Sequence, residues 1–185
     1  MNEAVAHDMN VSAWLFRERV WPLLRPELGG GELLAVEHVP DNKIAQALDA
    51  RAGIDYLQVH PQRGVRGIAS RVQTDNKDWG TFTLRQSRIT GATTEIEKIN
   101  FAIDPPGRWL HPNIHVQAYA KSAYGPIISI GYVRTVELFW FVNQGNCCEN
   151  GVHNARFVYC HWDALMRAGV RVGIIRPTTE EQYSW

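Results

Sequence analysis

Gly53-Ile54-Asp55-Tyr56-Leu57-Gln58, then Val65-Arg66-Gly67-Ile68-Ala69-Ser70-Arg71-Val72-Gln73, then Gly80-Thr81-Phe82-Thr83-Leu84-Arg85: these three stretches carry most of the information on the fold. In the second and third, apolar and polar residues alternate with the period of a half-buried strand. Pro61–Gly64 supplies a turn between the first pair, and the polar Thr74–Trp79 a longer one between the second pair. The reading is three successive strands, Ile54–His60, Val65–Gln73 and Gly80–Gln86, with an acidic residue opening the first.

Working outward, Asn42–Ala52 has helical spacing through Ile44, Ala45, Ala47 and Leu48, with Gly53 placed to follow its C-terminus. Glu32–Val39 reads as a strand before it. Upstream lies a helix, Ala13–Leu24, with Ser12 as its cap and Pro22 predicting a kink or an earlier stop. Downstream, Thr94 and Glu97 have capping-box spacing at a helix start that ends before Pro105. Asn113–Lys121 and Ile127–Arg134 read as strands, and Thr135 as the cap of a helix over Val136–Asn143. Asn146–Asn154 reads as a loop, Ala155–His161 as a strand, Trp162–Ala168 as a short helix and Val170–Ile175 as an edge strand. With 185 residues, no repeat and no linker, one domain over residues 12–176 is expected, with tails at 1–11 and 177–185. The class is α/β bordering on α+β, a central mixed sheet flanked by helices.

The order helix, strand, strand, strand, helix, strand over residues 12–135, with Asp55 opening a strand, resembles the PD-(D/E)XK, restriction-endonuclease-like nucleases. The resemblance implies metal-dependent hydrolysis of DNA phosphodiesters with Mg²⁺ or Mn²⁺. In that family an Asp near the start of the second strand binds the metal. A Glu or Asp on the third strand binds it too, and a Lys two residues on orients the water. Asp55 matches the first position. Aligned by eye, Arg71 takes the acidic position and Gln73 the lysine position. An Arg binds no cation and a Gln offers only a neutral amide, so the third-strand motif is degraded. The catalytic candidates are Asp55, Gln73 and Arg71. Asp55, Glu37 and Glu18 are the candidate metal ligands, and Glu95, Glu97 and Lys98 are candidates for a migrated motif.

Simpler readings stand beside these. Asp55 after Gly53 also suits turn closure, and Glu95 and Glu97 suit the positive end of a helix dipole. A degraded site is equally a nucleic-acid-binding module that no longer cleaves, and a third reading is an inhibitor or interaction protein of a phage or mobile element.

Composition narrows the partners. The 19 basic and 19 acidic residues cancel, which excludes a generally basic binder, but they are unevenly placed. Residues 51–90 hold seven basic against three acidic residues, and residues 1–50 hold four against eight. Arg63, Arg66, Arg85, Arg88 and Lys77, interleaved with Tyr56, Trp79 and Phe82, are therefore the candidate nucleic-acid contacts, DNA rather than RNA, on one basic face. No apolar run reaches the ~18 residues of a membrane span, and no leader is visible, so a cytoplasmic protein is expected. The three cysteines, Cys147, Cys148 and Cys160, are expected as free thiols. With His153 and His161 they match no recurring zinc spacing. His111 and His115 read as surface residues. The apolar run Leu138–Val142 reads as core or as the face of a homodimer.

Overall fold

The computed structural model describes residues 10–36, 42–88, 93–103, 110–152 and 155–178. Its main sheet has six strands in the order β1 (Glu32–Ala35), β2 (Tyr56–His60), β3 (Gly64–Gln73), β5 (Ile114–Ala120), β6 (Ile127–Arg134) and β9 (Val172–Ile175). All neighbours are antiparallel except β3 and β5, which run parallel. A second sheet holds β4 (Thr81–Arg88), β8 (Ala155–His161) and β7 (Cys148–Val152), in that order. Content is mixed α/β, as expected, but the third of the three opening strands leaves the central sheet. β3 pairs instead with β5, from Ile68 opposite Ile114 to Gln73 opposite Tyr119. The reason is polarity: β3 and β5 are linked by a long crossover, which permits the parallel ladder, while β4 finds an antiparallel partner in β8.

Helix α1, residues 10–27, covers one face of the main sheet. Phe16, Val20 and Leu24 pack there with Tyr56, Ile68, Val72, Val116 and Ile130, and Phe16 stacks on Tyr56 at 4.6 Å between centroids. The helix does not stop at Pro22: a π-helical stretch at Phe16–Val20 runs directly into the α-helical Trp21–Glu27. A proline has no N–H for the ladder and its ring clashes with the carbonyl four residues back; the wider π turn absorbs both defects. Ser12 lies inside this helix and is not its cap: its Oγ accepts from the Val72 N–H at 3.4 Å.

Three shorter helices occupy the opposite side, together with the second sheet. They are α3 (Glu95–Ile103), α4 (Thr135–Asn143) and α5 (Trp162–Arg167). Phe82, Leu84, Val158 and Cys160 form a second core with Tyr119, Val133, Leu138, Phe139 and Trp162. A Cβ at Gly131 would overlap the Trp162 indole, so only glycine admits that ring against β6. The run Leu138–Val142 is thus mainly core: Leu138, Phe139 and Phe141 are buried, while Trp140 is 54% exposed. Thr135 is the first residue of α4 and not its cap; the cap position is Arg134, whose guanidinium pairs with Glu137 at 3.1 Å. A last helix, α2 (Lys43–Ala47), continues into a π turn at Leu48–Ala52 and closes a small third cluster with Val36 and Ile54.

Two expectations about the C-terminal third are corrected. The segment expected as a loop contains β7, which forms a hairpin with β8. Its register sets Cys148 opposite Tyr159, so Cys147 falls beside Cys160, and these two form a disulfide. Only Cys148 is a free thiol, and it is exposed. Among the described residues no helix is long and apolar enough to cross a membrane.

Candidate functional site: a cleft between the sheets

β4 is an edge strand, and its outward N–H groups need acceptors. They find them in side chains spaced two residues apart on β5 and at the start of α3. Thr81 N–H donates to the Tyr119 hydroxyl (3.2 Å), Thr83 N–H to Gln117 Oε1 (3.4 Å) and Arg85 N–H to Glu95 Oε2 (3.0 Å). Side chains stand in for a neighbouring strand and hold the second sheet against the first.

On one side of this seam lies the second core. On the other is a cleft of about 460 Å³, walled by Arg71 and Gln73 of β3, Thr81 and Thr83 of β4, and Phe157, Tyr159 and His161 of β8. Asn150 of β7, with Asp75 and Trp79 of the β3–β4 connection, completes it. The volume falls within the ~300–1,000 Å³ of small-molecule sites. Strand alternation explains the lining. On β3, Ile68 and Val72 face α1, so Arg71 and Gln73 face away from it. On β8, Val158 and Cys160 enter the core, so Phe157, Tyr159 and His161 face the cleft.

Arg71 donates to Glu95 Oε1 at 3.2 Å, so one carboxylate joins β3 to the β4 backbone. The Arg71 and Arg85 guanidinium carbons lie 5.6 and 5.4 Å from the centre of the Phe157 ring. At that range the ring face attracts both cations. Trp79 is 47% exposed, with its indole N–H on Asp75 Oδ2 at 2.8 Å and Lys77 Nζ 3.3 Å above its ring. Below the cleft floor His115 is buried. Desolvation pushes its imidazole down to about 4, Glu95 opposes that shift, and Arg71 adds to it. His115 was read as a surface residue; it is 6% exposed because β5 is buried along its whole length.

The sequence-derived candidates are dispersed. Arg71 and Gln73 share the cleft. Asp55 precedes β2, where its N–H donates to the Ile68 carbonyl and its own carbonyl accepts from Val36 N–H. Its Oδ2 accepts from Ser70 N–H at 2.6 Å. It joins the start of β2 to the end of β1 and the middle of β3. Glu18 is exposed on α1, which packs on the opposite face of the main sheet from Arg71 and Gln73. Glu37 lies outside the described residues, as does His153. Glu97 closes the capping box, accepting from Thr94 N–H at 2.7 Å, and those Thr94 bonds lower its carboxyl. Lys98 Nζ caps the Asp49 carbonyl at 2.7 Å.

The basic residues do not form one face. Arg66 pairs across the ladder with Gln58, whose amide donates to the Leu28 carbonyl, so Arg66 lies on the α1 side with Arg63 in a separate small pocket. Arg71, Arg85 and Lys77 are on the cleft side. Arg88 is in β4 opposite Ala155, and its side chain lies outside the described residues. Among the described residues no three His, Cys, Asp or Glu side chains converge to hold a metal.

Gln117, Phe157, Tyr159, Thr83 and Asn150 escape the sequence reading. A signal for some of them exists: polar Gln117 between apolar neighbours on β5, and Phe157, Tyr159, His161 at period two on β8. Compared with family models, curated proteins and solved structures, the chain matches none.

Proposed function

We propose that this chain is a nucleic-acid-binding module that uses the inter-sheet cleft and does not cleave. The observation that carries the proposal is the Arg71–Phe157–Arg85 cluster beside Gln73, Tyr159 and Trp79. Cations interleaved with aromatic faces and amides are the chemistry that holds an unpaired strand: guanidinium on phosphate, ring on base. The nuclease-like resemblance supports the same substrate class. The order on which it rests runs through α1, β1, β2, β3, α3 and β5, with α2 inserted between β1 and β2 and β4 inserted before α3. Mg²⁺ or Mn²⁺ has no fitted donor set among the described residues, so no step is assigned to a metal. Asp55 has its carboxylate on the β3 backbone, which argues for a structural role there.

Because Glu95 neutralises Arg71 locally, only one or two phosphates are engaged, with a log–log salt slope of about −0.7 to −1.4 on a single strand. Fluorescence anisotropy with labelled single-stranded DNA, single-stranded RNA and duplex tests this. Retention of single strands without metal, weakened by Arg71→Gln and Arg85→Gln but not by Arg63→Gln, is the expected result. Absence of binding at low salt, or strand cleavage with Mn²⁺ that Asp55→Asn abolishes, would overturn it.

A further inference from the structure

We infer that the cleft selects a keto base, thymine, uracil or guanine, through donor groups whose direction the fold fixes. This deepens the proposed single-strand binding and rests on it.

The direction follows from a relay. The Thr83 backbone N–H has no acceptor character, so the Gln117 atom it meets at 3.4 Å is the carbonyl Oε1. Gln117 therefore presents its Nε2 to the next group, which it reaches at 3.0 Å, and that group is Gln73 Oε1. With its oxygen held toward Gln117 by that bond, Gln73 has its NH₂ turned away to offer, and this NH₂ has no partner among the described residues. Beside it, Arg71 spends one nitrogen on Glu95 and keeps further donors. A Gln with both oxygen and nitrogen available pairs with adenine by giving and receiving a hydrogen bond. Gln73 has its oxygen turned toward Gln117, so the end of the amide left for a ligand is the giving half. The two β3 side chains together offer mainly donors.

A base presenting carbonyl oxygens satisfies those donors. A base presenting an exocyclic amine there opposes donor to donor and leaves part-buried polar groups unpaired, which weakens its binding. Phe157, Tyr159 and Trp79 provide the faces for stacking. The cleft is a slot of single-ligand size between two sheets, so the base that enters it is unpaired.

The test compares short oligomers of thymidine and of deoxycytidine, which differ at the C4 carbonyl against the C4 amine and stack similarly. Anisotropy is read on the full chain. The wild type is expected to bind the thymidine oligomer about tenfold more tightly. Gln73→Glu keeps an oxygen for Gln117 Nε2 and replaces the donor by an acceptor, so the preference falls to parity or turns to cytosine. Phe157→Leu weakens both oligomers by a similar factor and leaves their ratio unchanged. Equal binding of the two oligomers by the wild type, or a ratio that Gln73→Glu leaves unmoved, overturns the inference while single-strand binding stands. If neither oligomer nor any mixed strand binds, the proposed function itself fails.

Discussion

The Tyr119 hydroxyl is bonded to Thr81 by every bond it can make. It accepts from Thr81 N–H at 3.2 Å, shares a 2.9 Å contact with Thr81 Oγ1 and donates to the Thr81 carbonyl at 2.8 Å. A phenol has one donor and two acceptor sites, so the balance closes if the threonine hydroxyl is the donor in the second bond. Burial raises the phenol above its usual value of 10.0, which keeps the donor in place through the physiological range. This one side chain pins the edge of the second sheet to the centre of the first.

Removing that hydroxyl strands the buried Thr81 groups. Tyr119→Phe is expected to destabilise the fold by about 1–3 kcal/mol, the cost of leaving buried donors and acceptors unmade. Urea unfolding at neutral pH measures it. Loss of the second-sheet anchor also predicts faster amide exchange at Thr81 and Thr83 than in the wild type. A variant as stable as the wild type, with unchanged exchange, would show that the seam is held elsewhere.

What could be read in the sequence was local. The left-handed Gly53 with φ of 67° and the Thr94–Glu97 box stand where residue type put them, while Asn42, read as part of the helix, is its cap: its Oδ1 accepts from Ile44 and Ala45 N–H at 3.0 and 3.1 Å. Each is decided within four residues. The sheet to which β4 belongs is decided by partners more than 30 residues away. Thr81-Phe82-Thr83-Leu84 alternates in the same way whether it lies beside β3 or β8. Strand β7, Cys148-Glu149-Asn150-Gly151-Val152, has poor strand propensity and exists by pairing with β8. The cleft inherits this limit, because its walls come from two sheets whose separation no local pattern encodes. Gln73 was singled out from its strand position, yet its Gln117 partner depends on the parallel β3–β5 register.

His115 predicts a pH dependence. Its folded-state value, about 4, lies below the unfolded 6.5. Between these values the unfolded chain binds a proton that the folded one refuses, so stability falls as pH drops from 6.5 towards 4. The loss has an upper bound on the order of 3 kcal/mol. Glu97, with its carboxyl lowered by Thr94, contributes a further loss as pH falls below the usual carboxylate range. Denaturant unfolding of wild type and His115→Asn at pH 7 and pH 4.5 separates the two, since the Glu97 part is common to both proteins. A smaller drop in the variant is expected; equal drops would place the titration on another group.

The Cys147–Cys160 bond closes a segment with a sequence separation of 13, which in the chain-entropy picture stabilises by about 3 kcal/mol. Cys160 is 1% exposed in the second core, next to the cleft-facing Tyr159 and His161. Treatment with a dithiol reductant, or Cys147→Ser with Cys160→Ala, is expected to lower stability by roughly 2–4 kcal/mol. Thiol counting under denaturing conditions should find one reactive cysteine before reduction and three after. Three free thiols in protein purified without reductant, and no stability change on reduction, would contradict the bond.

Asp55 separates a structural carboxylate from a catalytic one. Its Oδ2 accepts the Ser70 N–H at 2.6 Å, a bond that an Asn side-chain oxygen can replace. Asp55→Asn, which keeps that bond, is therefore expected to cost less stability than Asp55→Ala, which leaves that part-buried amide without its acceptor at about 1–3 kcal/mol. Both variants, once folded, should bind single strands as the wild type does, because the cleft lining does not include Asp55. A metal ligand would behave differently: Asp55→Ala would fold as stably as the wild type, and Asp55→Asn would lose a Mn²⁺-dependent activity. Stability and Mn²⁺-dependent strand cleavage measured together on the two variants thus decide whether the acidic residue that opens β2 joins three strands or belongs to a reaction centre.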